Sequence, residues 1–248
     1  MPSLPPPPPL AQLIDAHRIT LFLDFDGTLT ELAPGPEEVR IDPALPPLLE
    51  RLAQRLDGRL AIVSGRSVDW LSEAGFGEHI LSGTHGGELS WPGKPVERTE
   101  PPASLREVNA AFDKFAATRP GIIVERKPLA AGLHFRKAPE HGSAAEALAA
   151  ELAQQTGLAV QPGKMMVELR LPGGSKGTAV HALMGREPFT GSMPIFPGDD
   201  VTDEEGFLAA TEHSGFGIAV GERESVHARY HLPGVQQVHR WLKDGAGV

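Results

Sequence analysis

Residues 21–30, LFLDFDGTLT, are an apolar run that ends in two carboxylates around one phenylalanine, then a glycine and a threonine. Consecutive rather than alternating apolar residues indicate a strand buried on both faces, as in a parallel sheet. We place this strand at residues 18–24. Alternate residues of a strand share a side, so Asp24 and Asp26 would project together, and like charges that close raise each other's cost of ionising. A hard cation with a preference for oxygen ligands, such as Mg²⁺, would offset the repulsion. With its charge neutralised in this way Asp24 can act as a nucleophile. Asp26 can then give a proton to a leaving alcohol and later take one from water.

Other segments extend the same sheet. Asp42, Pro43 and the stripe Leu45, Leu48, Leu49, Leu52 and Leu56 predict a helix over 42–58. RLAIVSGRS (59–67) reads as a second strand whose glycine turn opens a helix, and HILSGTHGGEL (79–89) as a third strand and a loop. MPIFPGDD (193–200) and GFGIAV (215–220) add two more strands, with a helix from Thr202 that carries Glu205 at capping-box spacing. Strands alternating with helices imply an α/β fold with a doubly wound, Rossmann-like parallel sheet. Ligands of such sheets sit at the carboxyl ends of the strands. Asp24, Ser64 and Asp199 each close a predicted strand, so they should meet on one rim.

Residues 101–173 have a different rhythm. A helix opened by Ser104 and Glu107 carries Leu105, Val108, Phe112 and Phe115 on one side; strands follow near 121–127 and 130–137. Ser143 and Glu146 open a second helix, and strands near 158–161 and 164–171 complete an αββαββ order. This predicts an α+β lid, or cap, inserted into a discontinuous core of residues 10–100 and 174–248. In the cap strands Glu125 and Lys127 share a side, as do His134 and Arg136, and Lys164 and Glu168. Val124, Leu133, Phe135, Met165, Val167 and Leu169 have the opposite parity, so one face should be apolar and helix-covered, the other polar and able to bond hydroxyls. Arg126 and Met166 break this division. A polar face just ahead of Lys176 would suit a lid closing over the rim.

The 248 residues carry a formal net charge of -9, which argues against general nucleic-acid binding. No window is apolar enough to span a bilayer. The start, MPSLPPPPPL, lacks the basic and apolar regions of a secretory signal; residues 1–9 should form a flexible proline-rich tail. There is no cysteine, which is compatible with a reducing cytoplasm.

Further chemistry-bearing residues lie in two motifs. GDDVTDEEGF (198–207) supplies Asp199, Asp200 and Asp203 as oxygen ligands, while Glu204 and Glu205 suit a helix start. GGSKG (173–177) puts Lys176 at a glycine-rich helix start, and SGRS puts Ser64, Gly65 and Arg66 at another. Such starts bind phosphate through backbone N–H groups.

In this order DFDGTLT, SGR, SKG and GDDVTDE resemble the haloacid dehalogenase superfamily of aspartate-nucleophile phosphotransferases. Asp26 fits the phosphatase or phosphomutase pattern, because the dehalogenases lack an acid there. VERKPLAAGLHFRK, GKMMVELRLPGGSKG and SGTHGGEL are similar to trehalose-6-phosphate phosphatases, and the likeness runs from Leu21 to about Trp241. Phe135 stands where tyrosine is expected.

The resemblance implies a Mg²⁺-dependent phosphatase with an aspartyl-phosphate intermediate on Asp24. Asp26 would be its acid–base, and Ser64 and Lys176 would hold the phosphoryl group with Gly65 and Arg66 nearby. It implies metal ligation by Asp24, Asp199 and the carbonyl of Asp26, supported by Asp200 and Asp203. Glu125, Lys127, His134, Arg136, Lys164 and Glu168 would contact the sugar. The expected partner is a small sugar phosphate, with no nucleic acid and no membrane, and the expected state is a cytoplasmic monomer. A phosphatase of another sugar such as sucrose phosphate, a sugar phosphomutase and an inactive sugar-phosphate sensor remain as alternatives.

Overall fold

A computed structural model describes residues 4–33 and 38–248. In chain order α1 (Leu10–Ala16), β1 (Ile19–Leu23), α2 (Leu45–Arg55), β2 (Leu60–Val63), α3 (Val68–Leu71), β3 (Ile80–Gly83), β4 (Glu88–Ser90) and β5 (Glu97–Arg98) come first. Next are α4 (Leu105–Ala117), β6 (Ile123–Arg126), β7 (Ala130–His134), α5 (Gly142–Thr156), β8 (Ala159–Gly163) and β9 (Met166–Arg170). The chain ends with α6 (Lys176–Met184), β10 (Met193–Gly198), α7 (Glu204–Glu212), β11 (Phe216–Val220), β12 (Ala228–Leu232) and α8 (Val235–Ala246). The described residues divide into two compact units: Glu38 with Arg98–Gly173, and the remainder.

The larger unit holds an eight-stranded sheet of order β12-β11-β10-β1-β2-β3-β4-β5. It is parallel from β12 to β3, and β4 joins it antiparallel. The strand order reverses about β1, which is where an open α/β sheet leaves a crevice. Every residue of β1 is buried because each face has its own core. Leu21 and Leu23 pack with α1, α2 and α8, while Phe22 packs with α6 and α7. Full burial of each such side chain stabilises by about 1.5–3 kcal/mol.

Several local expectations shift. The helix expected over 42–58 starts only at Leu45, since Asp42 is spent on a turn, its Oδ1 accepting the Ala44 N–H at 2.9 Å. Its leucine stripe is buried as expected. The proline run, expected as a mobile tail, is tied down over its described residues. The His231 N–H donates to the Pro5 carbonyl at 3.0 Å and the Trp241 indole N–H to the Pro8 carbonyl at 2.8 Å. Proline carbonyls without ladder partners are ready acceptors, and β12 is an edge strand with donors to spend. Residues 1–3 of that tail lie outside the described residues.

The smaller unit has the expected order, with an antiparallel sheet β6-β7-β9-β8. Leu133, Phe135, Val167 and Leu169 are buried against Val108, Phe112 and Phe115 of α4 and Ala145, Ala149 and Leu152 of α5. Arg126, which broke the pattern, reaches past this apolar face to an ion pair with Asp113 of α4. Lys164 is a correction: it lies in the turn between β8 and β9, not on a strand, because Met165 takes φ +65° and interrupts the alternation.

Candidate active site

Register brings the predicted rim together. Leu21 pairs with Leu60 of β2 and with Ile195 of β10, so Asp24, Ser64 and Asp199 all leave the sheet at one edge. Asp24 is 2% exposed. Its Oδ1 accepts from Lys176 Nζ at 2.6 Å and its Oδ2 from the Thr28 hydroxyl at 2.8 Å. Lys176 opens α6 behind a capping box between Ser175 and Thr178, and its ammonium also reaches Asp203 Oδ1 at 2.6 Å. That second contact needs α6 and α7 close together, which Gly177 permits: a Cβ there would lie 2.7 Å from the Glu205 carbonyl.

Asp199 completes the group, since one carboxylate oxygen each of Asp24, Asp199 and Asp203 lie within 4.8 Å of one another. Gly27 makes room for it. Its φ is +83°, and a Cβ would fall 2.1 Å from Asp199 Oδ2. Gly65 similarly clears space for His85, whose Nε2 would lie 2.6 Å from an added Cβ.

Three carboxylates and one ammonium share this buried space. Burial, with Asp203 next in effect, pushes the Asp24 carboxyl up to about 7. Burial and then Asp24 push Asp199 up to about 9. Burial also raises Asp203. For Lys176 burial acts to lower the pKa, but Asp203 and Asp24 outweigh it and hold the ammonium well above its usual range. The excess negative charge and the all-oxygen donor set suit one hard divalent cation.

Asp26 departs from the expected arrangement. It lies beyond β1, in an isolated bridge with Thr30, so it does not share a strand face with Asp24. Both its oxygens accept from Arg66, Oδ2 from Nε and Oδ1 from an Nη, each at 2.8 Å. The guanidinium lies 4.2 Å above the Trp70 ring. The like-charged neighbours of Asp24 are therefore Asp199 and Asp203. Ser64, 1% exposed, accepts the Arg66 backbone N–H at its Oγ.

Asp200 is not in the carboxylate group; its Oδ1 accepts the Val201 N–H at 2.8 Å. Its own N–H donates to Asp203 Oδ2 at 2.9 Å. This reciprocal cap replaces the one expected between Thr202 and Glu205. Glu204 does more than face the α7 dipole. Burial works to raise its carboxyl, but bonds from Arg223, the His227 N–H and Ser225 outweigh this and hold it below the usual range. Thr28 and Arg223 went unread in the sequence; only the proximity of Thr28 to Asp24 within DFDGTLT could have pointed to it.

In the smaller unit, Lys127 is ion-paired with Glu168 and lies 3.8 Å from Glu125. His134 Nε2 and Glu125 Oε2 share a hydrogen bond of 2.8 Å. Arg136 is exposed in the turn after β7 and donates to the Lys164 carbonyl at 3.1 Å. Four of the six predicted sugar residues thus form one cluster, with Arg136 and exposed Lys164 at the turns.

Residues 22–236 match the trehalose-phosphatase family. The chain is 37% identical over 225 residues to the trehalose-6-phosphate phosphatase of Escherichia coli (strain K12), covering 90% of this chain and 84% of that protein. The C-terminal domain of the C. albicans trehalose-6-phosphate phosphatase is similar at a TM-score of 0.85 and 25% identity, covering 99% of this chain and 98% of that one. A phosphatase of the HAD enzyme superfamily from Bacteroides thetaiotaomicron shares the fold, with a TM-score of 0.65 at 16% identity over 94% of this chain and 97% of that one. Among the described residues no helix is long and apolar enough to cross a membrane. The chain belongs to the trehalose-phosphatase family, whose members are phosphoric monoester hydrolases, and its α/β core has the fold of a HAD-superfamily phosphatase.

Proposed function

We propose that this enzyme hydrolyses trehalose 6-phosphate to trehalose and inorganic phosphate through an aspartyl phosphate on Asp24. The observation that carries this reading is the buried Asp24–Lys176–Asp203 bridge beside Asp199. Lys176 and Thr28 fix the plane of the Asp24 carboxylate. An Asp24 oxygen bonds to phosphorus as the phosphorus–sugar oxygen bond breaks, and Asp26 gives its proton to the departing alkoxide. The Ser64 oxygen already accepts from Arg66, which leaves its O–H to donate to a phosphoryl oxygen. In the second half Asp26 takes a proton from water, which attacks phosphorus and frees Asp24. The two-pronged contact with Arg66 suits the ionised Asp26 of this half. In the first half one of those bonds gives way to the proton.

Asp24 and Asp199, with the Asp26 carbonyl, would hold Mg²⁺, which supplies charge neutralisation at the phosphoryl group. Asp203, fully buried and held by Lys176 and the Asp200 N–H, and Asp200, which serves as a cap, would support the site from behind. The linked Glu125, His134, Lys127 and Glu168 would read the sugar hydroxyls.

Phosphate release from trehalose 6-phosphate, sucrose phosphate, glucose 6-phosphate and an aryl phosphate, with and without Mg²⁺, tests the reading. A preference for trehalose 6-phosphate of at least about tenfold and loss of turnover in chelator are expected. Preference for another sugar overturns the substrate, and a rearranged sugar phosphate seen by NMR would mean a mutase. Glu125→Gln keeps the shape of the cluster, so kcat/KM for trehalose 6-phosphate should fall about tenfold or more, with the aryl phosphate changed less than twofold. Equal losses on both substrates would remove the cap cluster from the recognition role.

The carboxylate shifts also predict a pH effect. A raised folded-state pKa means the folded protein binds the proton more tightly than the unfolded one. Stability in metal-free protein should therefore fall as pH rises towards about 9, the value for Asp199. Between pH 7 and 9 the expected loss is about 2–3 kcal/mol, and Mg²⁺ should reverse it. Above pH 7 His79, whose pKa burial lowers, no longer contributes. Denaturant melts in chelator and in Mg²⁺ read this directly; a metal-free stability that is flat or rising over that range contradicts the assignment.

A further inference from the structure

We infer that Arg223, held in place by Glu204, is the positioning residue that aims the Asp199 carboxylate at the metal site. This rests on the Mg²⁺ reading above. Among the described residues no hydrogen bond or ion pair holds the Asp199 side chain as the Lys176 bridge holds Asp24, so its direction depends on its backbone. Arg223 grips that backbone. Its Nε donates to the Asp199 carbonyl at 3.2 Å and one Nη to the Asp200 carbonyl at 3.0 Å. The same Nη also donates to Glu204 Oε1 at 2.6 Å, and the other Nη to the Glu224 carbonyl at 2.9 Å. All three guanidinium nitrogens are thus committed, as only a planar fork allows.

Glu204 in turn gathers the segment that carries Arg223. It accepts from the Ser225 hydroxyl at 3.1 Å and from the N–H groups of Val226 and His227 at 3.2 and 3.0 Å. The segment between β11 and β12 is therefore buttoned to the start of α7, and Arg223 closes the loop onto Asp199 and Asp200, the two residues that follow β10. The partner on the far side of Asp199 is Gly27, whose missing Cβ lets the carboxylate approach. Asp199 is held between a gap in front and a clamp behind. Outer groups that orient ligands typically govern metal affinity by about 10–100-fold.

The test compares wild type with Arg223→Ala, Arg223→Lys and Glu204→Gln. Two readouts are taken: the Mg²⁺ concentration for half-activation, and hydrogen exchange at residues 199–203 in metal-free protein. Arg223→Ala should raise the Mg²⁺ requirement about tenfold or more, with kcat at saturating Mg²⁺ changed less than about threefold. The Asp200 and Asp203 amides, which close the reciprocal cap, should exchange about tenfold faster. Arg223→Lys should recover little, because a single ammonium nitrogen lacks the planar fork that reaches the Asp199, Asp200 and Glu224 carbonyls and Glu204 at once. Glu204→Gln should shift both readouts the same way, more weakly, and it keeps the test open if Arg223→Ala does not fold. An unchanged Mg²⁺ requirement, unchanged exchange, or a loss of kcat that saturating Mg²⁺ does not restore overturns the clamp. If wild type needs no Mg²⁺, the metal reading fails, while exchange in the metal-free protein still decides whether Arg223 orders the loop.

Discussion

Asp24→Asn should lose turnover by at least about 10⁴-fold and remain folded. The amide matches the carboxylate in shape. Its oxygen can accept from Lys176 as Asp24 Oδ1 does, and its NH₂ can donate to the Thr28 oxygen. What it cannot do is bond to phosphorus as an ionised nucleophile. The substitution also removes a buried carboxyl whose pKa burial has pushed up to about 7. Metal-free Asp24→Asn should thus be at least as stable as wild type at pH 8. Single-turnover assays and denaturant melts at that pH check both halves. Retention of activity within about a hundredfold of wild type would remove Asp24 from the nucleophile's role.

Lys176→Met should be the most destabilising of the substitutions considered, because it deletes the cation between Asp24 and Asp203, two carboxylates that are 2% and 0% exposed. Breaking a buried pair by removing one partner costs about 3–5 kcal/mol. The loss should depend on pH. At pH 8 the two acids must either stay charged without a partner or take up protons against the solution. At pH 5 protonation is easier and the penalty shrinks. Melts at both values distinguish this from lost packing, which would give the same loss at each. Turnover should vanish as well, since the residue also holds the attacking carboxylate.

Those two residues show how much of the site was legible in the chain. DFDG, SGR, SKG and GDD each follow a local apolar run or open a helix, so their places on the rim could be read from periodicity and turn chemistry. The leucine stripe of α2 and the parity of Leu133, Val167 and Leu169 in the cap were readable for the same reason. The errors have local causes too. Asp24 and Asp26 make one repelling pair only if strand alternation extends two residues beyond the strand's predicted end at Asp24, and it does not. A positive φ at Met165 moved Lys164 off its strand.

The charge pairings were not legible. Asp26 meets Arg66, Lys176 meets Asp203, and Arg223 meets the carbonyls of Asp199 and Asp200. Nothing in the residues themselves selects those partners. The proline run is similar, since its docking depends on where β12 and Trp241 come to lie.

The amino-acid sequence by itself determined that there would be a parallel core, an αββαββ insertion and a rim rich in aspartate, because burial and backbone preference act over a few neighbouring residues. Only the tertiary structure decided which acid faces which cation. Electrostatic energy depends on distance and on exclusion of water, and both are set when segments remote in the chain pack together.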